Sequence, residues 1–239
     1  MKITIAHLYP ELLNLYGDGG NILTLQKRME KRNIEVSVVK YGLSDEIDFN
    51  STDIIYIGGG SQKDVKLVCD TLRQKKDELK DFADKGGCIL SVASSFEILG
   101  SYYQTEDETI PGLELVDMKS EYSKNRSAGD VIIQSDLISS TIVGFENHFG
   151  KTATGDVKSL GTVIYGSGNN GNDKKEGIIY KNVIGTYLHG PLLPKNPLLA
   201  DYIIKQAIEY RYGEKRELSP LDDSLENMAH DYIVQRFTK

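Results

Sequence analysis

The chain has no tryptophan, two cysteines, six prolines and four histidines in 239 residues. Cys69 and Cys88 cannot build the framework of a disulfide-stapled secreted domain, and they leave a reducing cytoplasm as the expected setting. Two cysteines and four scattered histidines also lack zinc-ligand spacing, so no metal is expected. No apolar run approaches the roughly 18 residues that cross a bilayer, so no direct membrane insertion is expected. The opening MKITIAHL lacks the charged, apolar, small-residue order of a secretory signal and reads as a strand. Nor is there a basic block. Lys plus Arg number 28 against 35 Asp plus Glu, a net charge of -7, which argues against nucleic acid as a partner. What remains is globular: 39% hydrophobic residues, 14 Tyr and 6 Phe, in a length that suits one large α/β domain. We expect a single domain over 1–239.

Ile3 and Ile5 alternate with polar residues, so 2–8 reads as a strand. The turn NLYGDGGN follows, then a helix with Ile22, Leu25 and Met29 on one face and Asn21 as its N-cap. Residues 34–40 and 53–57 are further strands, the latter apolar enough to be buried on both faces and ending in Gly58-Gly59-Gly60. A helix marked by Val65, Val68, Cys69 and Leu72 leads through Leu79, Phe82 and Ala83 to a short apolar strand, 88–92. Strands alternating with helices imply a parallel sheet with helices on both faces. In the second half, 130–134, 140–147, 160–166, 176–180 and 182–190 read as short antiparallel strands extending that sheet. Asn196-Pro197 starts a helix with Pro at its first position. A last helix, about 221–237, carries an apolar stripe of Leu225, Met228, Ala229 and Tyr232. This stripe is expected to pack on its own domain; the alternative is that it docks on a partner. The polar loop 166–177 reads as the weak point.

Four places could carry chemistry. Gly58-Gly59-Gly60 either turns the chain or exposes N–H groups towards an anion. After strand 88–92 a sharp turn into a helix has the shape of a nucleophile elbow. Its tip is Ala93, which cannot be a nucleophile. Ser94 reads first as an N-cap and second as a nucleophile. His189 ends an apolar strand before Gly190-Pro191 and suits a general base or a structural role. His148 competes with it, His7 reads as packed and His230 as solvated. Arg126 can fork onto a carboxylate, although a lone Arg is usually a surface group.

NLYGDGGNI, IYIGGGSQ, NRSAGDVII, IVGFENHFGKT, YGSGNN and DKKEGIIYKNVIGTYLHGPLLPKNP together resemble the class I, CobB/CobQ-like glutamine amidotransferases, nearly from end to end. Within that family the chain is most similar to the glutaminase subunits of lipid II isoglutaminyl synthase. The resemblance implies a flavodoxin-like α/β sheet and a Cys–His dyad that releases ammonia from glutamine through a thioester. It implies a MurT-like Mur ligase as partner, in the cytoplasm, in peptidoglycan synthesis. No cofactor is implied for this chain, since ATP is used by the partner subunit. It matches His189 to the dyad histidine, Gly59 and Gly60 to the loop supplying an oxyanion N–H, and Arg126 to an arginine that handles glutamine. The amidotransferase of another, cobyric-acid-like amide ligase is the alternative.

The sequence departs from the family at the nucleophile. The family pattern is Cys-Gly-Gly-aromatic-Gln, then a hydrophobic pair and Gly. Here it reads Ala93-Ser94-Ser95-Phe96-Glu97-Ile98-Leu99-Gly100. Four of the first five residues differ, which fits a divergent elbow better than one replaced cysteine. Cys88 lies five residues earlier and cannot stand in without a register shift. Three functions follow. The chain is a glutaminase subunit silenced at position 93, a pseudo-amidotransferase that scaffolds a ligase using free ammonia, or a hydrolase that uses Ser94.

Overall fold

A computed structural model describes residues 1–238. The first half alternates strands and helices: β1 Lys2–Leu8, α1 Gly19–Glu30, β2 Glu35–Tyr41, β3 Ile54–Ile57, α2 Gln62–Arg73, α3 Lys76–Asp84 and β4 Cys88–Val92. A seven-residue 3-10 helix, Ala93–Leu99, follows directly. Then come β5 Tyr102–Gln104, β6 Thr109–Pro111, β7 Met118–Ser135, β8 Ser140–Thr154, β9 Gly161–Tyr165, β10 Lys175–Glu176, β11 Ile178–Tyr180, β12 Val183–Thr186, α4 Pro197–Tyr212 and α5 Ser224–Phe237.

One sheet runs β11-β12-β4-β3-β1-β2. Its pairings are parallel except for β11 against β12. Period-two alternation sends Ile3 and Ile5 to one face of β1, with α1 and α4, and Ala6 and Leu8 to the other, with α2 and α3. Every residue of β3 and β4 is buried, as expected for strands covered on both faces. Here the fold class read from the sequence holds.

The added strands sit differently from the expected extension. β5 to β10 form a second sheet, β10-β9-β7-β5-β6 with β8 on β7, and only β11 adds an antiparallel strand to the first. β7 and β8 are far longer than the sequence suggested, 18 and 15 residues. The polar stretch SEYSKNRSAG hides the start of β7, because one face of this hairpin is solvated. The opposite face carries Val131, Ile133 and Ile142 into the same core as α1 and α4.

Four local expectations are corrected. Asn21 is not the N-cap of α1. It lies inside the helix, donates to the Tyr56 hydroxyl (2.8 Å) and accepts from Leu193 N–H (2.8 Å). His230 is buried rather than solvated, bonded to Thr141 Oγ1 (2.7 Å) and the Lys195 carbonyl (2.9 Å). The stripe expected to pack is exposed: Leu225 at 75%, Met228 at 67% and Tyr232 at 64%. α5 instead packs through His230 and through Phe237, stacked on Tyr165. Loop 166–177 is firmly tied, with Ser167 and Gly168 N–H donating to Glu146 and Asn169 bonded to Gly177 in both directions.

Among the described residues no helix is long and apolar enough to cross a membrane.

Candidate functional site

The parallel strands end on one edge, where open α/β sheets place their ligand sites. β3 leads into Gly58-Gly59-Gly60 and β4 into Ala93. Ala93 has φ of 55°, a left-handed backbone unusual for a residue with a side chain and typical of strained functional turns. The two turns touch. A Cβ placed on Gly59 would lie 2.8 Å from the Ala93 methyl and 2.8 Å from the Tyr16 ring, so only glycine fits there.

Asp18, from the YGDGG turn, organises this loop. It is fully buried and accepts from Tyr56 Oη (3.1 Å) and Tyr16 N–H (3.3 Å), and it also faces Gly59 N–H. Burial raises its pKa, and those donors oppose the shift. Leu15 N–H donates to the Gly59 carbonyl (3.0 Å). Asp18 and Tyr16 lie in the NLYGDGGN motif, where no local pattern marks either as a single site residue.

Ser94 does not cap its helix. Its hydroxyl donates to the Gly60 carbonyl (3.0 Å) and accepts from Gly60 N–H (3.1 Å). No histidine bonds to it.

His189 follows β12 and is held by a bridge to β8, where His189 N–H donates to the Phe145 carbonyl (3.0 Å). Its Nδ1 lies 2.9 Å from the Tyr187 carbonyl. A carbonyl only accepts, so Nδ1 carries the proton and Nε2 keeps its lone pair, the state of a base. Burial lowers its pKa and favours this neutral ring. Tyr16 covers it, ring centres 4.1 Å apart, and Phe145 meets it edge-on. Tyr16 thus touches both His189 and the Gly59–Ala93 contact.

Beside the elbow lies a cavity of about 310 Å³, lined among others by Tyr16, Gly60, Ser94, Glu97, Arg126 and His148. Arg126 stands exposed at a bulge of β7, its guanidinium 5.3 Å above the Phe149 ring. His148 stacks flat on Tyr187 at 3.5 Å, with Nδ1 on the Gly150 carbonyl. Glu97 accepts from the Tyr187 hydroxyl (2.7 Å), and burial pushes its carboxyl up to about 7. A larger groove of about 890 Å³ runs between α1 and edge strand β2 and contains none of these elbow residues.

No thiol replaces the missing one. Cys88 sits at the far end of β4, against the Ile203 carbonyl, and burial pushes its thiol pKa up. The Cys69 thiol is raised to about 12 for the same reason.

Residues 4–197 match the model of the CobB/CobQ-like glutamine amidotransferase domain. The chain belongs to this family. This amidotransferase-family chain is 43% identical to the lipid II isoglutaminyl synthase (glutamine-hydrolyzing) subunit GatD of Staphylococcus aureus, over 98% of its own length and 96% of the relative's. It is 37% identical to the GatD of Streptococcus pneumoniae, over 97% and 90% of the two chains. A probable cobyric acid synthase of Methanothermobacter thermautotrophicus is a more distant relative, 30% identical over 48% of this chain and 25% of that protein. In fold, the chain is similar to a glutamine amidotransferase of Thermotoga maritima, with a TM-score of 0.53 at 10% identity over 97% and 93% of the chains.

Proposed function

We propose that this chain is the amidotransferase-fold subunit of a ligase that amidates the D-glutamate of lipid II, and that it is glutaminase-silent as written. Sequence identities of 43% and 37% to two GatD subunits, over nearly the full chain, support the subunit assignment. The partner is a MurT-like Mur ligase that activates the acceptor carboxyl with ATP. The silence follows from Ala93 at the elbow tip.

The family reaction needs a thiolate at that tip. It adds to the side-chain amide carbon of glutamine, the C–N bond breaks, ammonia leaves with a proton from His189, and water releases glutamate from the thioester. Here the elbow tip carries a methyl group, which has no acidic proton for a base such as His189 to take and no electron pair to attack an amide. Ser94 is no substitute, because its hydroxyl is bonded on both sides to Gly60. The chain therefore serves its partner by binding and positioning, while the ligase takes free ammonia.

The test is to co-purify the full chain with the Mur ligase and supply lipid II, ATP and either ammonium or glutamine. Amidated lipid II is expected with ammonium only. Equal product from glutamine refutes the silence, and failure to form a complex refutes the subunit role.

A further inference from the structure

We propose that Ser94 is a second, independent block on amide hydrolysis. Its hydroxyl occupies the Gly60 N–H that would face the oxyanion, so restoring a thiol at position 93 alone leaves the site without that donor. This rests on reading the elbow cavity as an amidotransferase site.

When a thiolate adds to an amide, the carbonyl electron pair moves onto oxygen, and that oxygen needs preorganised N–H donors. Besides the N–H of residue 94 itself, the facing turn offers two glycine amides, Gly59 against the Ala93 methyl and Gly60 against Ser94. Gly59 N–H faces the buried Asp18 carboxylate. Gly60 N–H donates to Ser94 Oγ at 3.1 Å, and the same Oγ donates back to the Gly60 carbonyl at 3.0 Å. The serine hydroxyl thus satisfies both polar groups of Gly60.

The loop cannot turn to offer another amide. Leu15 N–H holds the Gly59 carbonyl. Side chains added at Gly58 or Gly60 would strike the Leu13 carbonyl or the Leu12 carbonyl and Leu13 side chain, so the turn is packed against 12–13 on the side away from the cavity. A substrate oxygen could reach Gly60 N–H only by displacing Ser94 Oγ from two hydrogen bonds. Glycine or alanine at position 94 has no hydroxyl and leaves this donor free.

The experiment compares Ala93→Cys with the double variants Ala93→Cys/Ser94→Gly and Ala93→Cys/Ser94→Ala in the full chain, with and without the Mur ligase. Two doubles are used because glycine can loosen the 3-10 helix. Glutamate release from glutamine is measured. In parallel, iodoacetamide alkylation of the introduced thiol is followed by peptide mass, with and without glutamine.

One oxyanion donor is worth roughly 10²–10³ in rate, so at least one double should exceed Ala93→Cys by that factor. A gap below tenfold, including equal silence, overturns the Ser94 block. The alkylation arm judges the underlying reading separately. Protection of the new thiol by glutamine upholds the amidotransferase cavity even if the block falls, and no protection in any variant ends both.

Discussion

Replacing Glu97 with Gln should make the protein's stability less sensitive to pH. Glu97 forms part of the cavity wall, and its carboxyl is pushed from 4.5 to about 7 by burial, with the Tyr187 hydroxyl opposing the shift. A carboxyl whose pKa is raised on folding binds its proton more tightly in the native state. Stability is then highest below pH 4.5. It falls as pH rises from 4.5 towards 7, because the unfolded chain ionises while the fold does not, and it is level above 7. A shift of about 2.5 units corresponds to roughly 3 kcal/mol at pH 8, and to under about 1 kcal/mol at pH 5, where the unfolded carboxyl is only partly committed. Gln accepts the same Tyr187 hydrogen bond and carries no charge. Glu97→Gln should therefore gain about 2–3 kcal/mol over the parent between pH 5 and pH 8, read as the change in urea-unfolding free energy at the two pH values. Buried Glu176, raised to about 8 in the same direction, is present in both proteins and cancels. If the two proteins keep the same stability difference at both pH values, Glu97 is ionised in the fold and the reasoning fails.

Two further outcomes are expected. Arg28 is buried in a double fork on Asp201 (2.7 and 2.9 Å) and Asp223 (2.5 and 2.9 Å), tying α1 to α4 and to the start of α5. Arg28→Ala takes the cation from half-buried Asp223, while Asp201 keeps its fork on Arg32 (2.9 and 2.7 Å), and should cost about 1–3 kcal/mol in urea unfolding; a loss under about 0.5 kcal/mol would show these pairs to be solvent-screened. Ala93→Gly removes the Cβ from a left-handed backbone and should stabilise by about 1 kcal/mol, raising the thermal midpoint; a lowered midpoint would mean that the elbow is not strained.

The parallel half of the fold and the elbow are legible in the residues alone. Short, wholly apolar strands such as IIYI and CILSV need cover on both faces, and alternation with amphipathic helices leaves little but a parallel sheet. The resemblance in motif supplied the candidate residues and exposed the missing thiol at position 93, because an aromatic and a Leu-Gly ending held the register. Periodicity could not choose between the two faces of α5. Leu225, Met228, Ala229 and Tyr232 form one stripe at helical spacing, while Glu226, His230, Ile233 and Phe237 form another. The tertiary structure chose the second, since His230 finds Thr141 and Lys195, Phe237 finds Tyr165, and Asp223 is anchored by Arg28. The polar start of β7 was equally opaque, because a strand with one solvated face and a bulge carries no apolar run. Only the fold brought Ser94 to Gly60, 34 residues away in sequence, turning an apparent helix cap into the partner of a loop glycine. A hydrogen bond between two loops depends on where both strands end, and no local pattern encodes that.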